Sequence, residues 1–387
     1  MTFLADDADN AGDAELQKQA YHLAAIIMSK YPWFHNNLIF MDAYNQISTP
    51  TGQRYPAVRE AINSIIHKGT LIFNYTGHGS PNQFAHESAI DKSMVNSWKN
   101  INYLPFFMTA SCEISPYDNH KLKSIGEMIL LNPNGGAVSM FTTTRLVYGS
   151  SNHELSISFY NRVFERNEGG NYSTLGEIMK DAKNQQGVYA INSRKFTLFG
   201  DPSMKLIIPP YKVVTDSING KSTQVATDTI GALQKVEICG SITDTLGNHI
   251  PNYNGVIHTA VYDKFKERQT LGNDGQDPFS FLTQDNILYK GKSKVVDGKF
   301  KFEFIVPLDI DYDFGKGKIE YYAQDGTIDA QGAFRSLIIG GSSNNIINDT
   351  KGPEIDVYMN DTNFVSGSST NESPLLIAHF FDEHGIN

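Results

Sequence analysis

Apolar residues recur along this chain in two different rhythms. Up to about residue 208, short runs that are apolar at nearly every position (Phe3 to Ala5, Leu38 to Met41, Leu71 to Phe73, Pro105 to Met108, Ala137 to Phe141) alternate with longer stretches whose apolar residues return every three or four positions. A run apolar on both sides suits a strand buried on both faces, and a period of three to four suits a helix with one buried face. The first region therefore predicts a parallel sheet flanked by helices. Helix starts are marked by Asp13, heading an amphipathic stretch through Lys30, and by Ser124/Glu127, Ser151/Glu154 and Thr174/Glu177, each spaced as a capping box.

After Pro209-Pro210 the rhythm changes to alternation in VEICGSITD, GVIHTAVYD, KFKFEFIVP and KIEYYAQDG, separated by Gly, Asn and Asp. That is the signature of half-buried strands. The predicted organisation is an α/β domain over 1–208, an all-β domain over 209–345 and the start of a further, incomplete β module over 346–387. Gly340 to Asn345 and Asp349 to Pro353 read as linker. The chain opens directly on the strand Thr2 to Ala5 and stops at DEHGIN inside a β pattern, so it reads as a piece of a longer protein.

Composition narrows the function. Of 387 residues 40% are hydrophobic and 19% charged, enough apolar surface for two or three packed domains. The net charge of -10 contains no block of Lys and Arg, which argues against nucleic acid as a partner. Cys112 and Cys239 stand far apart with no CxxC spacing, so neither a disulfide framework nor a zinc finger fits. No run reaches the roughly 20 apolar residues of a membrane span, and the N-terminus lacks the order of a signal peptide.

Two segments run an apolar strand straight into small residues and a reactive side chain: LIFNYTGHGS (71–80) and PFFMTASCEIS (105–115). Open parallel sheets collect ligands beyond the carboxyl ends of their strands, so His78 and Cys112 share one rim if these strands are neighbours. An imidazole beside a thiol can take its proton and give a nucleophilic thiolate. Gly77 and Gly79 would permit positive φ and a close approach of substrate. The backbone N–H groups of Gly79 and Cys112 are the candidate oxyanion donors. Glu87 is the candidate acid to orient the imidazole, with Glu113 and the Asp6/Asp7 pair as competitors. His86-Glu87 matches no helical HExxH arrangement, and no metal ligand set is expected. Cys239, in VEICGSI, reads as a packed strand residue, and Trp33 and Trp98 read as core.

NYTGHGS with TASCE, and further along GEMILLNPNGGAVSMFTTTRLVY, NSRKFTLFGDPSMKL and LYKGKS, resembles the gingipain-like cysteine peptidases of family C25, clan CD, and among them the sortase-like peptidases of the Bacteroidetes type IX secretion system. The resemblance covers nearly the whole chain. It implies a caspase-like α/β domain followed by immunoglobulin-like β-sandwich domains, with His78 as base and Cys112 as nucleophile. It implies a place on the outer face of the outer membrane among the type IX components. The activity it implies is removal of the C-terminal signal domain from secreted cargo proteins, with transfer of the new carboxyl end to a surface lipopolysaccharide as a further possibility. No organic cofactor is called for, and a structural calcium on loop carboxylates such as Asp311 and Asp313 is the one ion left open. The rival reading is a catalytically inactive caspase-like docking subunit of the secretion machinery; the presence of both His78 and Cys112 speaks against it.

Overall fold

A computed structural model of the chain describes residues 1–10, 12–167, 170–187, 190–225, 229–342 and 352–381. It forms two compact units: Met1–Ile208 together with Lys266–Thr283, and Pro209–Phe265 together with Gln284–Asn387.

The first unit is built on six strands: β1 (Thr2–Ala5), β2 (Asn37–Phe40), β3 (Ile72–Thr76), β4 (Phe106–Ala110), β5 (Ser139–Thr143) and β6 (Phe196–Phe199). Their order across the sheet is β6-β5-β4-β3-β1-β2. Neighbours are parallel except for β6, which runs antiparallel on β5. The chain fills one side of β1 with β2 and then returns to the other side with β3, so the sheet reverses direction between β1 and β3. Crevices for ligands form at such a reversal, beyond the carboxyl ends.

The apolar runs are buried on both faces, and successive residues go to opposite cores. Leu4, Phe73, Phe107 and Met140 pack under the helices α1 leaves free: α2 (Pro56–Lys68) through Val58, Ile62 and Ile66, and α3 (Ile125–Leu131) through Ile125 and Ile129. Phe3, Ile72, Phe106 and Phe141 pack against α1 (Ala14–Lys30), α4 (Gly149–Arg162) and α5 (Leu175–Gln185). Trp98 belongs to the first core, whereas Trp33 is half-buried.

Ser124 and Thr174 form complete capping boxes with Glu127 and Glu177. The Ser151/Glu154 spacing does not mark a start: α4 begins two residues earlier, at Gly149, and its cap position is Tyr148. Asp13 stands at the N-cap of α1 but makes no side-chain capping bond.

In the second unit the alternating stretches form β7 (Tyr211–Ile218), β8 (Lys235–Thr243), β9 (Gly255–Tyr262), β12 (Ile287–Val296), β13 (Lys299–Ile305), β14 (Lys318–Gln324) and β15 (Asp329–Phe334). Phe300, Phe302 and Phe304 of β13 point into the core, while Lys299, Lys301 and Glu303 face out. The sheet order is β7-β8-β13-β12-β9-β14-β15, with the short strand Lys221–Ser222 outside β7. β15 pairs back onto β7, which closes one barrel-like ring. This pairing does not by itself give the two facing sheets of an immunoglobulin-like sandwich.

Two segments differ from the sequence reading. Gly340 and Gly341 lie within a strand, Ile338–Ser342, paired to Thr229–Ala232, because its Ile339 is fully buried in the core; residues 343–345 and 349–351 of the expected linker lie outside the described residues. The antiparallel pair β10 (Lys266–Gln269) and β11 (Ser280–Thr283) sits in the stretch assigned to the all-β domain but packs with the first unit. Phe279 and Phe281 cover Phe40 and Tyr21, and the Asp42 carboxylate accepts from the backbone N–H groups of Gly272 (3.0 Å) and Asn273 (2.8 Å). Beyond 351, Glu354–Met359 pairs with Leu376–Phe381, and the remaining DEHGIN residues are outside the described set.

Candidate active site

β3 and β4 are parallel neighbours with Thr76 opposite Ala110. His78 and Cys112 each follow two residues later, so the two loops leave the sheet at one height. Both residues line a cavity of about 390 Å³, whose wall also includes Asp13 and Leu16 at the start of α1 and Val147, Ser150 and Asn152 at the turn into α4. The strand-end rule thus brings together a thiol and an imidazole that are 34 positions apart.

Crowding explains the glycines beside His78. A Cβ at Gly77 would lie 2.5 Å from the Asp6 Cβ and from the Tyr75 hydroxyl, and one at Gly79 would lie 2.3 Å from Ser111 Oγ. Neither residue has positive φ, contrary to the sequence expectation; in this region the left-handed conformation falls on Ala85, Ser88 and Glu113. The glycines let the His78 loop seat directly on β1 and on the Cys112 loop.

That seat is fixed by polar contacts. The His78 backbone N–H donates to Asp6 Oδ2 at 2.7 Å, and the Tyr75 hydroxyl donates to the His78 carbonyl at 2.5 Å. The imidazole Nε2 lies 3.0 Å from Asp13 Oδ1. The ring stacks on His86 with centroids 5.0 Å apart and planes 12° apart, and His86 Nδ1 lies 2.6 Å from Asp9 Oδ2. The hydrogen bond to Asp9 raises the His86 imidazole above its ordinary value, with burial opposing. Cys112 is half-buried, and its Sγ donates a weak bond to the Val147 carbonyl at 3.6 Å.

Gly79 faces Phe84 in a short antiparallel turn. Ser80 N–H donates to the Gln83 carbonyl and Ala85 N–H to the His78 carbonyl, so Gly79 occupies the non-hydrogen-bonded position of the pair. Its N–H is not taken up by that turn. Cys112 lines the cavity, whereas Gly79 lies outside its lining.

Glu87 is not beside the imidazole. The turn after Gly79 and the left-handed residues Ala85 and Ser88 carry Glu87 to Asp7 instead, where it is buried. Burial is the main cause that pushes the Glu87 carboxyl up to about 7, with the nearby Asp7 adding to it. Burial likewise holds Asp6 well above the usual carboxyl range, again with Asp7 adding to it, and raises Asp7 itself.

The acid on His78 is Asp13, which the sequence reading took for a helix cap. The position that would complete a capping box, three residues on, is Leu16, unlike Glu127 after Ser124 or Glu177 after Thr174. An uncompleted cap just past the carboxyl end of β1, on the rim that carries His78, was the available signal.

Among the described residues, three sets of side chains hold ligand atoms within 4.8 Å of one another: Asp9, Asp13 and His78; Asp6, Asp7 and Glu87; Asp7, Asp9 and Asp274. In the second unit Asp311 and Asp313 are exposed, and Asp311 Oδ1 accepts from the Asp313 backbone N–H at 3.0 Å.

The sequence matches the model of peptidase family C25 over residues 1–207. Among solved structures the chain is similar to dimeric latent PorU from Porphyromonas gingivalis, with 32% identity and a TM-score of 0.40 over 64% of this chain and 24% of that one. It is also similar to the complex of Porphyromonas gingivalis RgpB pro- and mature domains, with 16% identity and a TM-score of 0.43 over 86% of this chain and 68% of that one. The chain therefore spans about a quarter of the PorU chain. No curated protein sequence matches it.

Proposed function

The chain belongs to peptidase family C25, and from that premise we propose that it is a cysteine endopeptidase with Cys112 as nucleophile and His78 as base. The observation that carries this reading is that both side chains line one cavity, with Asp13 on one nitrogen, Nε2, of the imidazole. Asp13 holds the proton on Nε2, which leaves Nδ1 to accept the proton of Cys112 Sγ. The thiolate attacks the peptide carbonyl carbon, and the tetrahedral oxyanion takes hydrogen bonds from the Gly79 and Cys112 backbone N–H groups. His78 then gives its proton to the departing amine, leaving a thioester on Cys112. Water or a second amine, deprotonated by His78, attacks that thioester and restores the thiol.

The proposed substrates are secreted cargo proteins of a type IX system, cleaved before their C-terminal signal domain. An amine acceptor on a surface lipopolysaccharide would make the enzyme a sortase, and its place would be the outer face of the outer membrane. Among the described residues no helix is long and apolar enough to cross a membrane.

The test is made in a cell that depends on this protein. Cys112→Ala leaves the protein in place while cargo accumulates with its signal domain attached, seen as the heavier mass. Normal cargo masses in that strain would overturn the peptidase reading and favour a docking subunit. Feeding a small amine to the wild type and finding it on the new carboxyl end supports transfer; a free carboxylate at every amine concentration leaves hydrolysis.

A further inference from the structure

One face of the His78 ring is covered by a second imidazole that the peptidase mechanism does not use. His86 lies outside the cavity lining, and its side chain is 67% exposed against 39% for His78. A side chain that open to water loses rotamer freedom when it is held in one orientation, so something must hold it. Its ring nevertheless lies nearly parallel to the ring of His78.

Local structure puts it there. The Ala85 N–H donates to the His78 carbonyl at 3.0 Å, which closes the turn between them. Within that turn the fully buried Phe84 stacks on Tyr75 with centroids 4.9 Å apart and planes 20° apart, and the Tyr75 hydroxyl holds the His78 carbonyl. Ala85 then takes a left-handed φ of 63°, a conformation that residues with a Cβ rarely adopt, and this bend brings the next side chain back over His78. Gln83 Nε2 donates to the His86 carbonyl at 3.1 Å. The loop between β1 and α1 adds the last restraint. Asp9 meets His86 as Asp13 meets His78, so two acids of one loop each hold one of two stacked imidazoles.

The hydrogen bond from Asp13 restrains one edge of the His78 ring but tolerates rocking of its plane, because such bonds weaken steeply only at large departures from linearity. A flat partner against the ring face opposes that rocking, since aromatic pairs prefer particular interplanar arrangements. Rocking matters because Nδ1 has to stay within hydrogen-bond reach of Cys112 Sγ to take its proton.

Resting on the peptidase reading, we propose that His86 is a positioning residue: held by its turn and by Asp9, its ring fixes the plane of the His78 ring so that Nδ1 faces Cys112. His86 acts through His78 alone. Its flat face, rather than its nitrogens, does the positioning.

The test uses the folded full chain and iodoacetamide, which reports the thiolate of Cys112 without any peptide substrate; Cys239 in the second unit serves as internal reference. His86→Ala slows alkylation of Cys112 by roughly tenfold at neutral pH, with the Cys239 rate unchanged and the thermal midpoint near wild type. His86→Phe, which keeps a flat ring in the same turn, recovers most of the lost rate. His78→Ala, which removes the base, is slower than either. The proposal is overturned if His86→Ala matches the wild type while His78→Ala is slow, a result that leaves the dyad standing. It is overturned as well if His86→Phe is as slow as His86→Ala, because the bond to Asp9 would then be what counts. A wild-type rate in His78→Ala would overturn the dyad itself and the proposal with it.

Discussion

The two units place their acids in opposite ways. On the barrel-like unit they are paired with lysines: on the outer face Lys301 Nζ lies 2.6 Å from Glu237 and Lys235 Nζ 2.7 Å from Glu303 across neighbouring strands, and the buried Asp263 has Lys264 Nζ at 2.9 Å. In the α/β unit Asp6, Asp7 and Glu87 are buried among tyrosines at the carboxyl ends of strands. Exposed pairs cost and contribute little, because water screens both the attraction and its loss. Buried acids are costly, and a fold keeps them where they act on something. The difference separates a supporting unit, whose buried Asp263 is neutralised by Lys264, from a working unit that keeps acids with no cation of their own beside a thiol and an imidazole.

The widest break in that comparison is expected at Cys112. Cys112→Ala should lower turnover of a peptide substrate by about a thousandfold or more and leave the thermal midpoint near wild type, since the thiol is half-buried at a loop. Residual turnover above a tenth of wild type would end the assignment. Conversely, Ile257→Ala, deep in the second unit's core, should cost about 2–5 kcal/mol of stability in denaturant unfolding. It should not change the rate at which iodoacetamide modifies Cys112 in the folded protein; a tenfold slowing would show that the units do not divide their labour this way.

These expectations draw on parts of the molecule that the sequence disclosed unequally. The central strands were legible because burial on both faces gives consecutive apolar positions such as Leu71 to Phe73 and Pro105 to Met108, although buried Asn74 and Thr109 follow them inside the same strands. The turn from one rhythm to the other after Pro209-Pro210 was legible for the opposite reason, because strands such as β13 alternate exposed and buried positions. β6 was not, because in this four-residue antiparallel edge strand, Phe196–Phe199, only Phe196 is fully buried and the apolar run is too short to stand out. Cys112 and His78 could be paired from strand-end position alone. Asp13 could not, because its role depends on where a loop before α1 lands, and Glu87 was misassigned because nearness in sequence to His78 says nothing about a chain that doubles back.

A smaller effect sharpens the role of Asp13. Asp13→Asn should reduce kcat by roughly ten- to a hundredfold with KM little changed, as the imidazole loses its fixed tautomer. A change confined to KM would instead make Asp13 a substrate contact.

The smallest effect expected lies away from the site, where His22 Nδ1 on α1 is 3.0 Å from His153 Nε2 on α4. Burial first, and then His22, lower the His153 imidazole below its ordinary 6.5. The unfolded chain therefore takes up a proton near pH 6.5 that the folded one resists. Stability attributable to this histidine is present above that pH and is lost as pH falls toward the folded value. Thermal melts between pH 7.5 and 5 should show a shallow decline that His153→Gln flattens; an unchanged slope in the variant would remove His153 from the account.

The β10–β11 hairpin has a consequence for how the molecule comes into being. A ribosome delivers the first 208 residues before Lys266–Thr283, and at ordinary translation speeds the 75 residues from 208 to 283 take roughly 4 to 15 s. Through that interval Phe40 lacks the cover of Phe279 and Phe281, and Asp42 lacks the N–H groups of Gly272 and Asn273. The nascent α/β unit therefore waits, with an apolar spot open to chaperones or to a neighbouring nascent chain, for a clasp translated as part of a later segment. Gene fragments ending near codon 208 would make that waiting state permanent.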